Sequence, residues 1–393
     1  MDNMKRLIDM GAVTISKLQK KLVNKCLDDS RLSYGDMTRE FEKRWAKLHG
    51  VKYALFCNSG TSSLQVAIHA LKDKYEWDDG DEVIIPATTF VATMNVVLHN
   101  NLKPVFVDVE SEYFNLDPDK IEDALTEKTK AIIVVHLLGQ PAQMDKIMRI
   151  AKRFSLKVIE DSCETVGATF KGKPVGGWGD ISCFSTYASH LVVTGVGGFV
   201  CTNDTDLAMR VKGLYNHGRD GLYHSIDDDD KDSIKMLQNR FNFIHSGYSY
   251  RATELESALG LGHLDRFNKE LKQRQKNAAY LIKGLEDLEN DYFIILPKIH
   301  PKATHSYMLF GIVAEKTDKL MVFLENNGIM TRYFMPLINQ PIVKKLYGDM
   351  SKKFPVSNLL INTGLLIGVH PELTKSDLDY VIEKFHEFYD KKK

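Results

Sequence analysis

Cysteine is scarce in this chain: five residues in 393, an odd number, with no Cys-x-x-Cys pair. That excludes a disulfide framework and argues against a zinc site. Net charge is missing too, since 52 Lys and Arg face 52 Asp and Glu. Nothing in bulk charge favours nucleic acid or an anionic membrane as a partner. No apolar run approaches the roughly 18 residues of a membrane-spanning helix. The opening "MDNMKRLIDMGAVTISKL" is mixed and charged, without the apolar core of a signal peptide. The expectation is a cytoplasmic protein. Repeats and low-complexity tracts are also absent.

What is present is a patterned globular chain with 44% hydrophobic residues. Strand-like runs at 53–56, 82–86, 103–109, 130–136 and 157–161 alternate with amphipathic stretches such as 62–72 and 143–154. Buried strands alternating with helices predict an α/β domain on a mainly parallel sheet. Ligands of such sheets bind at the carboxyl ends of the strands. The organisation predicted is a large domain over 1–250, a long connecting helix over 251–288 and a small domain over 289–393. The run "DDDDKD" at 227–232 reads as a solvated loop rather than a metal site.

Several segments that follow strands carry polar groups. In "CNSGTSSLQVA" (57–67), Gly60, Thr61 and Ser62 open a helix, which suits a phosphate and equally suits an ordinary N-cap. In "PATTFVAT" (86–93), Phe90 is placed to stack on a planar ligand or to join the core. "VIEDSCET" (158–165) ends a strand on Glu160 and Asp161, where a carboxylate can hold a protonated ring nitrogen or cap a helix. "FSTYASHLVVTGVGG" (184–198) contains Ser185 and, five residues on, His190.

Taken together and in order, these segments resemble the DegT-type nucleotide-sugar aminotransferases. So do "VVHLLGQPAQMDKI" (134–147), "GYSYRATELESALGLGHLDRF" (247–267), "RYFMPLINQP" (332–341) and "IGVHPELTKSDLDYVIEKF" (367–385). The resemblance covers nearly the whole chain. It implies the fold type I architecture of pyridoxal phosphate (PLP) enzymes and a homodimer with shared active sites. It implies further that Asp161 pairs with the pyridine nitrogen, Phe90 stacks on the ring, Thr61, Ser62 and Ser185 hold the phosphate, and Glu164 lies beside the ring. Ser249 stands where the family usually has an asparagine that reaches the neighbouring subunit's phosphate.

The family's aminotransferases carry their cofactor-linking lysine five residues after the phosphate serine. Here that residue is His190, and no lysine occurs between Lys173 and Lys212. Imidazole cannot make the double bond to an aldehyde that a primary amine makes. In this the chain is similar to the branch of 4-keto-6-deoxy-sugar 3-dehydratases that use pyridoxamine phosphate (PMP), and "NHGRDGLY" (216–223) resembles a segment of that branch. Leu191 departs from it, standing where a second histidine is common, and Val196 replaces a usual glutamate. The resemblance implies C3 dehydration of a GDP- or CDP-linked sugar for surface glycans such as lipopolysaccharide, with His190 as acid and base and glutamate as amino donor. One type in the branch holds an iron–sulfur cluster; with no cysteine beyond Cys201, its ligands are not expected here. Two alternatives remain at this stage. One is an aminotransferase, or a lysine variant of one; the other is a non-catalytic PLP- or sugar-binding regulator.

Overall fold

The computed structural model describes residues 7–220 and 241–390. The acidic run at 227–232 lies outside them. Among the described residues no helix is long and apolar enough to cross a membrane.

Seven strands form the main sheet: β1 (Tyr53–Cys57), β2 (Glu82–Pro86), β3 (Lys103–Val107), β4 (Thr129–Val135), β5 (Lys157–Asp161), β8 (Ile181–Ser185) and β9 (Gly198–Thr202). A small hairpin, β6 (Thr169–Phe170) with β7 (Lys173–Pro174), lies between β5 and β8. The strand order is β1-β9-β8-β5-β4-β2-β3. Neighbours from β8 to β3 run parallel, and β9 runs antiparallel to both β8 and β1. The mainly parallel sheet expected from the sequence is thus present with one reversed strand. That reversal brings the start of β9 to the edge where the other six strands end.

The strands are short Val/Ile-rich runs because both faces are covered. Helices α1 (Lys17–Asp28) and α2 (Asp36–His49) precede the sheet, followed by α3 (Gly60–Lys74), α4 (Val91–His99), α5 (Met144–Arg153) and α6 (Thr205–Tyr215). Side chains of a strand alternate between faces. Val83, Ile85, Ile159, Cys183 and Val200 therefore pack with α3, α4 and α6, through Leu64, Ile68, Val97 and Val211. Ile84, Ile132, Val134 and Val158 face the other way, onto Ile147 and Ala151 of α5. Phe56, Phe184 and Phe199 join Phe41 and Trp45 of α2 on that same side.

Alternation also separates the two acids that close β5. Asp161 falls on the α3–α4 face, and Glu160 on the opposite one. Glu160 is fully buried and accepts from Gly176, Trp178 and Gly179 amides at 2.8, 2.6 and 2.7 Å. Its fourth contact is His136 Nε2 at 3.0 Å. This carboxylate pins the loop between β7 and β8 under the site. Its removal in Glu160→Ala leaves three amides, that of Gly176 buried, and a buried imidazole without an acceptor. The expected loss is about 3–5 kcal/mol, the scale for breaking a buried pair, read as a fall in the urea midpoint.

The helix Glu254–Asn290 runs for 37 residues. It opens with a capping box, Thr253 over Glu256. Its first half packs on α1 and α2. Further along, Ala278, Leu281, Leu285 and Leu288 enter a second core with Ile312, Leu320, Ile367 and Phe385. That core belongs to a four-stranded antiparallel sheet of β10 (Ile294–Ile295), β11 (Phe310–Ala314), β12 (Thr331–Tyr333) and β13 (Gly364–Ile367), in the order β10-β11-β13-β12.

Candidate active site

The site gathers at the edge where Cys57, Pro86, Val135, Asp161 and Ser185 end their strands. Gly198 begins β9 there, paired with both Cys57 and Ser185. Ser59 caps α3, its Oγ accepting from the Ser62 amide at 3.0 Å. Gly60 is closed in, since a β-carbon on it would stand 2.8 Å from Ser185 Cβ and 2.9 Å from Cys163 Sγ. A β-carbon on Gly198 would meet Ser59 O at 2.4 Å and Gly60 N at 2.6 Å. Backbone approach at this corner therefore depends on the missing side chains. Gly198→Ala is expected to cost about 1–3 kcal/mol as overpacking and to weaken cofactor retention, measured by thermal unfolding and by dialysis of the loaded protein.

Asp161 is buried, with Oδ2 accepting from Thr93 Oγ1 at 3.0 Å and Oδ1 from the Cys163 amide at 3.2 Å. Burial raises its carboxyl above the ordinary value, against the hydrogen bonds from Cys163 and Thr93. Such a group gains from a cation brought beside it. Glu164 is buried as well and accepts from the Leu138 amide at 2.8 Å. Burial, helped by the charge of Asp161, pushes it up to about 7. Leu138 holds a left-handed backbone (φ 55°) to aim that amide.

His190 ends a tight turn, its amide bonded to Tyr187 O at 2.9 Å. The residue is half-buried, yet its Nδ1 is shielded from solvent and has no hydrogen-bond partner. Burial pushes the imidazole down to about 4, with the Cys163 backbone pulling the other way. An unperturbed imidazole titrates at about 6.5; desolvation here favours the neutral ring at pH 7. Cys163 is the hinge of the arrangement. It touches Asp161 through its amide, His190 through its backbone, and the space beside Gly60 and Ser185 through its sulfur.

Phe90 stands at the start of α4 with 59% of its surface exposed, so it belongs to the open edge and not to the core. Thr61 is exposed in the first turn of α3, and Ser62 is half-buried beside the cap. Ser185 is buried and accepts weakly from the Tyr187 amide at 3.3 Å. Ser249 is not among the groups that converge on Asp161. It lies exposed outside them, accepting from Arg251 at 3.1 Å and bridging Asn216. Thr93 and Ser59 escaped the sequence reading. The signal for Thr93 was its place three residues after Phe90, at the start of a helix; for Ser59, its place just before Gly60.

Four buried polar atoms without partners lie in the segments that follow these strand ends: Asn58 Oδ1, Thr88 Oγ1, Ser162 Oγ and His190 Nδ1. Native structures leave few such groups without cause. With a helix N-terminus for an anion, an open aromatic face and a buried carboxylate raised by burial, they fit a planar, phosphorylated, protonated pyridine. Among the described residues no group of three or more His, Cys, Asp or Glu is placed to hold a metal ion, and all five cysteines are free.

The model of the DegT/DnrJ/EryC1/StrS aminotransferase family matches residues 13–386. The chain belongs to that family. Its relatives in the DegT/DnrJ/EryC1/StrS group include a GDP-perosamine synthase of Caulobacter vibrioides, 33% identical over 95% of this chain and 96% of that protein. Another is a dTDP-4-dehydro-2,6-dideoxy-D-glucose 3-dehydratase of Saccharopolyspora spinosa, 31% identical over 96% of this chain and 85% of that protein. Among solved structures, a His-to-Asn mutant of GDP-4-keto-6-deoxymannose-3-dehydratase with bound GDP-perosamine superimposes with a TM-score of 0.86. It is 26% identical and covers 96% of this chain and 99% of that one. The architecture is the type I fold of PLP enzymes, and the family's cofactor is PLP or PMP.

Proposed function

We propose that this DegT/DnrJ/EryC1/StrS protein is a PMP-dependent 3-dehydratase of a nucleotide-linked 4-keto-6-deoxyhexose. The observation that carries the reading is an imidazole with an unpartnered, buried nitrogen on the turn after Ser185, in a segment from 174 to 211 without lysine. The names of two relatives, both 3-dehydratases, support it.

When bound, PMP supplies a primary amine for the sugar's C4 ketone and a ring that draws off electrons. The chain's residues do the rest. Thr61, Ser62 and Ser185 receive the phosphate at the start of α3, where the first-turn amides and the helix dipole favour an anion. Phe90 presents its open face to the ring. Asp161, its ionised form favoured by that contact, keeps the proton on the ring nitrogen. His190 is neutral at pH 7 and takes a proton; once protonated its depressed pKa makes it a ready donor to the hydroxyl leaving C3. It cannot capture the cofactor covalently, which separates dehydration from amino transfer. Glu164, near 7, sits where it can hold or release a proton. Glutamate restores the amine form, and in a homodimer Ser249 lies at the position that reaches the neighbouring subunit's site.

The test is incubation of the PMP-loaded protein with GDP- and CDP-4-keto-6-deoxyhexoses and glutamate, followed by mass spectrometry. Net loss of one oxygen atom, giving a 3-deoxy keto sugar, is the expected result: the C3 hydroxyl leaves as water and the two electrons come from the cofactor amine, which glutamate then restores. An amino sugar as the sole product would make the protein an aminotransferase, as the GDP-perosamine synthase relative suggests. Binding without turnover would make it a regulator.

A further inference from the structure

The turn that carries His190 is tied to the long helix by a two-residue relay. Several amides of the turn pair within it: Thr186 with Gly197 O at 2.9 Å, Ala188 with Gly195 O at 3.1 Å, and Thr194 with Thr186 O at 2.9 Å. The Val193 amide leaves the turn and donates to His263 Nδ1 at 3.1 Å. Both residues are buried, so this donor depends on the imidazole for its acceptor.

His263 Nε2 lies 2.9 Å from Glu270 Oε2. Glu270 is seven residues further along the helix, two turns away on the same face. Arg266 Nε stands 2.7 Å from its other oxygen. Burial alone would raise the Glu270 carboxyl, but His263, Arg266 and Arg274 outweigh it and hold it below its ordinary value. An ionised carboxylate only accepts, so it draws the imidazole hydrogen to Nε2 and leaves the Nδ1 lone pair for Val193. The tautomer that the turn needs is the one the carboxylate imposes.

His190 has no comparable anchor of its own on Nδ1. Besides its contact with the Cys163 backbone, the ring is placed by the turn that carries it, where Leu191 and Val192 are buried against the aromatic core. We infer that His263 and Glu270 are positioning residues for His190: by gripping Val193 they hold the turn in the shape that aims the catalytic imidazole at the site. This rests on the reading of His190 as acid and base. The hydrogen bonds of His263 go to Val193 and Glu270, so the two residues act through the turn.

The test compares His263→Leu with His263→Gln in the full chain loaded with PMP. Glutamine can accept from Val193 with its oxygen and donate to Glu270 with its amide, so it rebuilds both bonds. His263→Leu is expected to lower kcat for the 3-deoxy product about 10–100-fold, the scale for losing a residue that orients a reacting group, with KM little changed. His263→Gln recovers most of it. Hydrogen exchange of the peptide spanning 186–197 gives a readout without turnover: about tenfold faster in His263→Leu and unchanged in His263→Gln. Glu270→Gln, which weakens the tautomer preference without removing the ring, is expected to shift both measures the same way by less, and it stands in if His263→Leu does not fold. Wild-type kcat in His263→Leu overturns the inference, as does unchanged exchange, or a glutamine variant as impaired as leucine. If the wild-type protein dehydrates no sugar, the reading of His190 falls by itself; the exchange comparison then still decides whether His263 holds the turn.

Discussion

Replacing His190 with asparagine is expected to cut dehydration about 10²–10⁴-fold, the range for a positioned general acid or base, while PMP stays bound. Asparagine keeps much of the imidazole's size and polarity but takes up no proton near neutral pH. The remaining anchors, Asp161, Phe90, Ser185 and the start of α3, lie on other elements and are untouched. Equilibrium binding of PMP separates the two effects, since affinity holds while turnover falls. His190→Lys sharpens the test. A primary amine at 190 restores the means to link PLP covalently, so reduction with borohydride is expected to fix the cofactor to that residue, visible in the peptide mass. Dehydration falls in this variant and amino transfer appears. Full dehydration in His190→Asn would remove His190 from the chemistry.

Asp161→Asn is expected to lower turnover on the order of 10³-fold, the upper range for removing a preorganised group from developing charge. Asp161 is the only one of the two β5 acids on the α3–α4 face, and burial already raises it. A cation beside it favours the ionised form. The neutral amide no longer stabilises a proton on the pyridine nitrogen, so the ring loses its capacity to draw off electrons. Binding weakens too, because a charge-assisted hydrogen bond is lost. The geometry around it persists: Thr93 and the Cys163 amide are held by α4 and the β5 turn. The loaded protein's absorbance spectrum reports the change in ring protonation, and a spectrum and kcat both like wild type would refute the pairing.

Much of this was legible in the chain. The five strand runs read from apolar pattern coincide with β1 to β5 to within two residues at either end. β8 and β9 are no shorter than β1 but were not among those runs, because "ISCFS" is broken by two serines and "GFVCT" opens on glycine and ends on threonine. Alternation along β5 could say that Glu160 and Asp161 face opposite ways; only packing against α4 and the β7–β8 loop says which faces the site. The order of motifs brought Asp161, Ser185, Phe90 and His190 to one reading, and the structure sets them along one edge. The depressed basicity of His190 could not be read, since it arises from burial by segments distant in the chain. The grip of His263 on Val193 was equally hidden, 70 residues apart and with no motif to mark it.

The helix Glu254–Asn290 is about 55 Å long at 1.5 Å per residue, and the same rod is embedded in the cores of both sheets. A hinge between those sheets would have to cut or bend it. Substrate capture must then come from the rearrangement of surface loops or from the apposition of another polypeptide, and a search for a large clamshell movement by small-angle scattering should find the radius of gyration indifferent to ligand.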